Sequence, residues 1–147
     1  MVTRVIAAFP GTGKTWMFDH QDEFNLIISD SDSSKFSWSS PGVRHEDFPN
    51  NYIQHIISKI GMVDVIFIST HKDVRDALKE ASIDYTLIYP ERDEKQFYIQ
   101  RFQNRGSTDA FIKLVGDKWD EWMDELDAEQ FPFKVKLSGH QFIKDIL

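Results

Sequence analysis

Short apolar runs separated by helix-patterned segments constrain this 147-residue chain more than any other feature. The runs are Arg4 to Phe9, Asn25 to Ser29, Asp64 to Ser69 and Tyr85 to Tyr89, with a weaker, alternating fifth at Phe133 to Leu137. Continuous apolar runs this short suit strands covered on both faces, and an alternating run suits an edge. Between them, Asn51 to Ile60 places Ile53, Ile56, Ile57 and Ile60 on one helical stripe, with Gly61 as the stop. Lys72 to Ala81 does the same with Val74, Ala77, Leu78 and Ala81. Glu91 to Arg105 carries Phe97, Ile99 and Phe102, and Gly106 closes it. Ser107 to Asp127 carries Phe111, Leu114, Val115, Trp122 and Leu126, and a break is expected at Gly116, which disfavours helix by about 1 kcal/mol against Ala. Its Trp119, Trp122 and Met123 read as one half-buried amphipathic face. Gln141 to Leu147 suits a short closing helix. Alternation of this kind predicts β-α-β units and one parallel sheet with right-handed crossovers, in a single α/β domain over 1–147. Ligands then bind beyond the carboxyl ends of the strands.

The strongest local pattern is Ala8-Phe9-Pro10-Gly11-Thr12-Gly13-Lys14-Thr15. It follows the first expected strand and opens a helix from Thr15 to about His20. The spacing is that of GxxxxGK[ST], with Ala8 where the first glycine usually stands. In such a loop, backbone N–H groups point inward and cradle phosphate oxygens. Gly11 and Gly13 permit the tight turn and close approach, and the helix start adds partial positive charge. Pro10, Gly11, Thr12, Gly13, Lys14 and Thr15 are therefore the expected ATP phosphate contacts. Lys14 reaches the β- and γ-phosphates, and the Thr15 hydroxyl can ligate Mg²⁺.

Composition narrows the substrate. The formal net charge is −7 and the pI about 5.1, which disfavours a long nucleic acid, whose partners usually carry a basic face. A phosphorylated small molecule needs only a few placed cations. The absence of cysteine excludes disulfides, thiolate catalysis and cysteine zinc sites, and fits a reducing compartment. No run approaches the ~20 apolar residues of a membrane helix, and the apolar run before Pro10 is too short for a signal peptide, so a cytoplasmic location is expected.

The loop, an acidic strand end, an arginine-bearing segment and a closing strand-helix together resemble a minimal P-loop kinase of the nucleotide, nucleoside and small-metabolite group, over nearly the whole chain. The resemblance implies a three-layer P-loop NTPase fold, with a five-stranded parallel sheet of order 2-3-1-4-5 and helices on both faces. It implies ATP and Mg²⁺ as cofactors. It places an acceptor-binding insert near 31–50 and a lid near 91–106. Strand two ends in Ser29-Asp30-Ser31-Asp32, which is similar to the Asp-x-Asp of shikimate kinase and related hydroxyl kinases. By that likeness Asp30 belongs to the magnesium shell, and Asp32 orients or deprotonates the acceptor. Strand three ends in Ser69-Thr70-His71 with no acid, which argues against a motor ATPase or GTPase.

Tyr98 to Gly106 resembles a kinase lid, with Arg101 and Arg105 four residues apart on one helix face, poised to close on a γ-phosphate. Arg92 lies beside Glu91 and Asp93 and reads as a surface charge. Arg44, Arg75 and His71 are candidate acceptor contacts, and Phe36 and Trp38 could stack on a base. The expected reaction is ATP-dependent phosphoryl transfer to a small nucleotide-like acceptor, foremost a (deoxy)nucleoside monophosphate. Transfer to a hydroxyl of a nucleoside, metabolite or nucleic acid with Asp32 as base is the alternative. A nucleotide-dependent regulatory binding protein is a third reading.

Overall fold

The computed structural model describes residues 2–31, 38–40, 43–44 and 46–147, the backbone alone at 38–40 and 43–44. Strands β1 (Arg4–Ala8), β2 (Ile28–Asp30), β5 (Val65–Ile68), β6 (Thr86–Pro90) and β7 (Phe133–Leu137) form one sheet ordered β2-β5-β1-β6-β7. Every pairing in it is parallel. Numbered along the chain, these five strands run 2-3-1-4-5, the order the family resemblance implies. Strands β3 (Trp38–Ser40) and β4 (Val43–Arg44) make a separate antiparallel pair with Trp38 opposite Arg44. That pair falls inside the stretch near 31–50 where the resemblance places an acceptor-binding insert.

The period of two along each strand divides the core. Val5, Ala7 and Phe9 face one side with Ile66, Ile68, Leu87 and Tyr89. Helices α2 (Asn50–Lys59), α3 (Lys72–Glu80), α4 (Lys95–Asn104) and α5 (Asp109–Asp127) cover that side. Ile6 and Ala8 face the other side with Val65, Phe67, Ile88 and Leu137, under α1 (Lys14–Asp19) and the 3₁₀ turn Ile143–Asp145. Central strands buried on both faces explain why their sequences are uninterrupted apolar runs. β7, at the sheet edge, follows its alternating sequence only in part: Leu137 is buried and Val135 half-buried between exposed lysines, while Phe133 is exposed.

Several helical expectations are corrected. The buried stripe of α2 is Tyr52, Ile53 and Ile56, while Ile57 and Ile60 stay 45% and 44% exposed, so the apolar face is rotated toward the helix start. Helix α5 runs unbroken through Gly116 for 19 residues. Val115, Trp119, Met123 and Leu126 are buried along it, and their packing outweighs the propensity cost of one glycine. The Thr108 side chain caps its start by accepting from the Phe111 N–H at 3.1 Å. The closing helix is only the 3₁₀ turn. The Glu91 to Arg105 pattern divides into a 3₁₀ turn at Arg92–Glu94 and then α4. Within α4, Tyr98 and Phe102 are buried in the main core, so the expected lid is anchored, and Arg101, Asn104 and Arg105 are the residues it brings to the cleft. Among the described residues no helix is long and apolar enough to cross a membrane.

Candidate functional site

The chain leaves β1 at Ala8, which pairs with Ile88 in ordinary strand register, so alanine at that position does not disturb the loop entrance. The loop then turns through two left-handed glycines, Gly11 at φ +82° and Gly13 at φ +98°. The buried Thr12 hydroxyl donates to the Phe9 carbonyl at 2.6 Å and locks the turn between them. The close approaches that require glycine are internal. A Cβ at Gly11 would sit 2.9 Å from the Phe102 ring, and one at Gly13 would sit 3.3 Å from Phe142. Gly11→Ala therefore combines an unfavourable φ with a clash against a packed ring, and should lower stability by about 1–3 kcal/mol in urea unfolding. An unchanged midpoint would show that α4 yields freely at that point.

Lys14 opens α1, and its Nζ donates to the Ala8 carbonyl at 2.8 Å, across the mouth of the loop. Next to it, the Thr15 hydroxyl donates to Asp30 Oδ2 at 3.3 Å. Asp30 is the last residue of β2, so the strand end and the helix start bring a hydroxyl and a carboxylate to one point. Ser31 is held just beyond. Its N–H bonds the Phe67 carbonyl at 2.9 Å, and its carbonyl accepts from the buried Tyr52 hydroxyl. Its own hydroxyl shares hydrogen bonds of 2.9 Å with Ser29 and with His55. Tyr52 and His55 thus fix the direction in which the chain leaves Asp30. The sequence reading missed both, although their i, i+3 spacing places them on one face of α2.

These groups border a cleft of about 760 Å³ at the carboxyl ends of β1, β2 and β5. Pro10, Gly11, Gly13, Lys14, Thr15, Asp30, His71, Arg101 and Arg105 all line it, so most of the residues singled out from sequence converge there. Thr12 lies beneath them, fully buried. Trp16, Phe111 and Phe142 supply apolar walls, and Ser69 stands beside His71 at the end of β5.

Arg75 is a correction. It is 2% exposed and points away from the cleft. Its Nε donates to the Thr70 carbonyl at 2.8 Å, its Nη1 to Glu129 at 2.6 Å and its Nη2 to Glu125. Three acceptors from the α3 start and the α5 end engage its guanidinium, so it is not placed to grip an acceptor. Arg92 is a surface residue, as expected, paired with Asp124 at 2.6 Å.

The two lid arginines have different settings. Arg105 is exposed, stacks over Phe102 at 4.7 Å and donates from Nε to Ser107 at 3.2 Å. Arg101 donates from Nη1 to the Gly11 carbonyl and from Nη2 to the His140 carbonyl, both at 2.8 Å. It is held to the loop rather than extended over it. The candidates Asp32 and Phe36 lie outside the described residues, as do the side chains of Arg44 and Trp38.

No group of three or more His, Cys, Asp or Glu is gathered as a metal site among the described residues. Thr15 and Asp30 offer two oxygen donors instead. Two fit a cation that completes its octahedron with waters and substrate phosphates, as Mg²⁺ usually does, and would not suffice for a cage made of protein alone. No protein-family model matches the chain, and no curated protein matches its sequence.

Proposed function

We propose that the chain is an ATP-dependent phosphotransferase built on a P-loop NTPase fold, and that it transfers the γ-phosphoryl group to a small nucleotide-like acceptor, foremost a (deoxy)nucleoside monophosphate. One observation carries the reading. Lys14, Thr15 and Asp30 meet at the mouth of a loop turned by Gly11 and Gly13, at the carboxyl end of a parallel sheet. An ammonium, a hydroxyl and a carboxylate at that place suit a magnesium-bound polyphosphate.

Phosphoryl transfer asks a protein for position and charge more than for covalent help. Loop amides and Lys14 would hold the phosphates. Thr15 and Asp30 would hold Mg²⁺, which when bound neutralises charge on the phosphate oxygens. Arg105 overhangs the same cleft and can offer its exposed guanidinium to the transferring group. Phe111 would help exclude water from it.

Arg75's engagement with two glutamates removes one of the two cations assigned to an acceptor phosphate. That favours, as a second reading, an acceptor that presents a hydroxyl, with Asp32 as the candidate base. Incubation with Mg²⁺-ATP and a mixed panel of nucleoside monophosphates, nucleosides and 5′-hydroxyl oligonucleotides, read by mass spectrometry, separates the two. A diphosphate product supports the monophosphate reading. A new phosphomonoester supports the hydroxyl reading. If no member of the panel gains a phosphate, the transferase reading fails for this class of acceptor. Asp30→Ala should raise the Mg²⁺ concentration for half-maximal activity by roughly 10–100-fold, the usual effect of losing a residue that supports a metal site. An unchanged Mg²⁺ titration would remove Asp30 from the metal shell.

A further inference from the structure

The phosphate loop is clamped from behind by a segment that neither the motif nor the proposed chemistry uses. After β7 the chain crosses back over the loop. The Ile143 N–H bonds the Thr12 carbonyl at 2.9 Å, and the Phe142 ring covers Gly13 at contact distance. The Arg101 guanidinium lies between the two pieces of chain. Its Nη1 holds the Gly11 carbonyl at 2.8 Å, and its Nη2 holds the carbonyls of His140 at 2.8 Å and Gln141 at 3.5 Å. Its Cζ lies 3.9 Å from the centre of the Phe142 ring, 4.5 Å from that of Tyr98 and 4.7 Å from that of Phe97. Glu94 steadies the far side by accepting from the His140 N–H at 2.8 Å.

We propose that Arg101 is a positioning residue that brackets the Gly11 turn to the segment 140–142, with Phe142 as its packing partner, and that it does not itself bind the transferred phosphate. The inference rests on the nucleotide reading above for its functional consequence, but not for the bracket. A planar guanidinium can serve two carbonyls on opposite sides while stacking on a ring, and an ammonium cannot. A residue acting only as a positive charge over a phosphate would tolerate lysine. A bracket would not. Arg105, one turn further along, touches neither carbonyl and is the arginine left for the phosphate.

The test uses the full chain and three variants, Arg101→Met, Arg101→Lys and Phe142→Ala. Amide hydrogen exchange at 11–14 is measured without nucleotide, Mg²⁺-ATP affinity by calorimetry, and kcat at saturating ATP. Met and Lys at position 101 should behave alike. Both should lose exchange protection at the loop and bind Mg²⁺-ATP about tenfold more weakly, as expected for one lost charge-assisted hydrogen bond, with kcat held within about twofold. Phe142→Ala keeps the guanidinium hydrogen bonds and should shift the same two readings by less. Wild-type affinity in Arg101→Lys, or a fall in kcat at unchanged affinity, would overturn the bracket in favour of direct phosphate contact. If both position-101 variants fail to fold, Phe142→Ala decides, and unchanged exchange at the loop overturns the proposal. If the wild-type chain does not bind Mg²⁺-ATP, the nucleotide reading fails, and the exchange result alone still decides the bracket.

Discussion

Lys14→Ala should remove phosphoryl transfer while leaving the fold in place. The side chain opens a six-residue helix at the cleft and belongs to neither apolar cluster, so its loss leaves no cavity. Its ammonium does reach the Ala8 carbonyl at 2.8 Å, but a water entering from the cleft can take the place of that donor. On the proposed reading, what goes is a fixed positive charge where charge develops on the transferred group. Losing one such stabilising donor typically costs roughly 10²–10³ in kcat, and the ATP affinity should fall as well. The measurement is product formation with the best acceptor of the panel, beside far-UV circular dichroism of both proteins. A variant that keeps more than a tenth of wild-type turnover would mean that Lys14 is not at the transferred phosphate. If the wild-type chain binds ATP but phosphorylates nothing, and the variant only binds more weakly, a regulatory nucleotide-binding role becomes the better account.

Much of this site was legible because its determinants are local. Three of the five strands, β1, β5 and β6, are short apolar runs written in consecutive side chains, whereas β2 begins three residues after its expected run, at Ile28, and β7 is the weaker, alternating one. Gly11 and Gly13 declare themselves by spacing, and both adopt the left-handed turn that the spacing demands. What escaped is what depends on distant partners. Arg101 and Arg105 share one helix face, so sequence treats them as a pair. They are separated by two backbone carbonyls at 140 and 141, which no side-chain pattern announces. The face of α2 was misjudged because isoleucines at 57 and 60 outweigh a tyrosine in any apolar count. Tyr52 wins because its hydroxyl has a buried carbonyl to serve, at Ser31. Gly116 read as a helix break on propensity alone, whereas four buried side chains hold α5 against the sheet on both sides of it.

Arg75 shows the same limit and gives the largest expected effect on stability. From sequence it opens the helix after strand three, where a cleft arginine could stand. In the structure it is buried, and Glu125 and Glu129, 50 and 54 residues later, close on it from the end of α5. The three groups tie the start of α3 to the end of α5 and fix the Thr70 carbonyl, beside Ser69 and His71 at the cleft. Arg75→Met fills a similar volume but leaves two carboxylates without their cation. Removing one partner of a buried pair usually costs about 3–5 kcal/mol. Glu125 and Glu129 keep side-chain exposures of 35% and 20%, so both can recover some hydration, and the lower end of that range is expected. Even about 3 kcal/mol is a large share of the 5–15 kcal/mol that holds a typical domain together. Urea unfolding followed by circular dichroism measures it. The triple change Arg75→Met, Glu125→Leu and Glu129→Leu should recover most of the loss, because the cost lies in the orphaned charges rather than in the missing contact. A loss under about 1 kcal/mol in Arg75→Met, together with a raised KM for the acceptor, would contradict the tie and return Arg75 to the substrate. A large loss repaired by the triple change would confirm that this arginine holds the wall of the cleft without entering it.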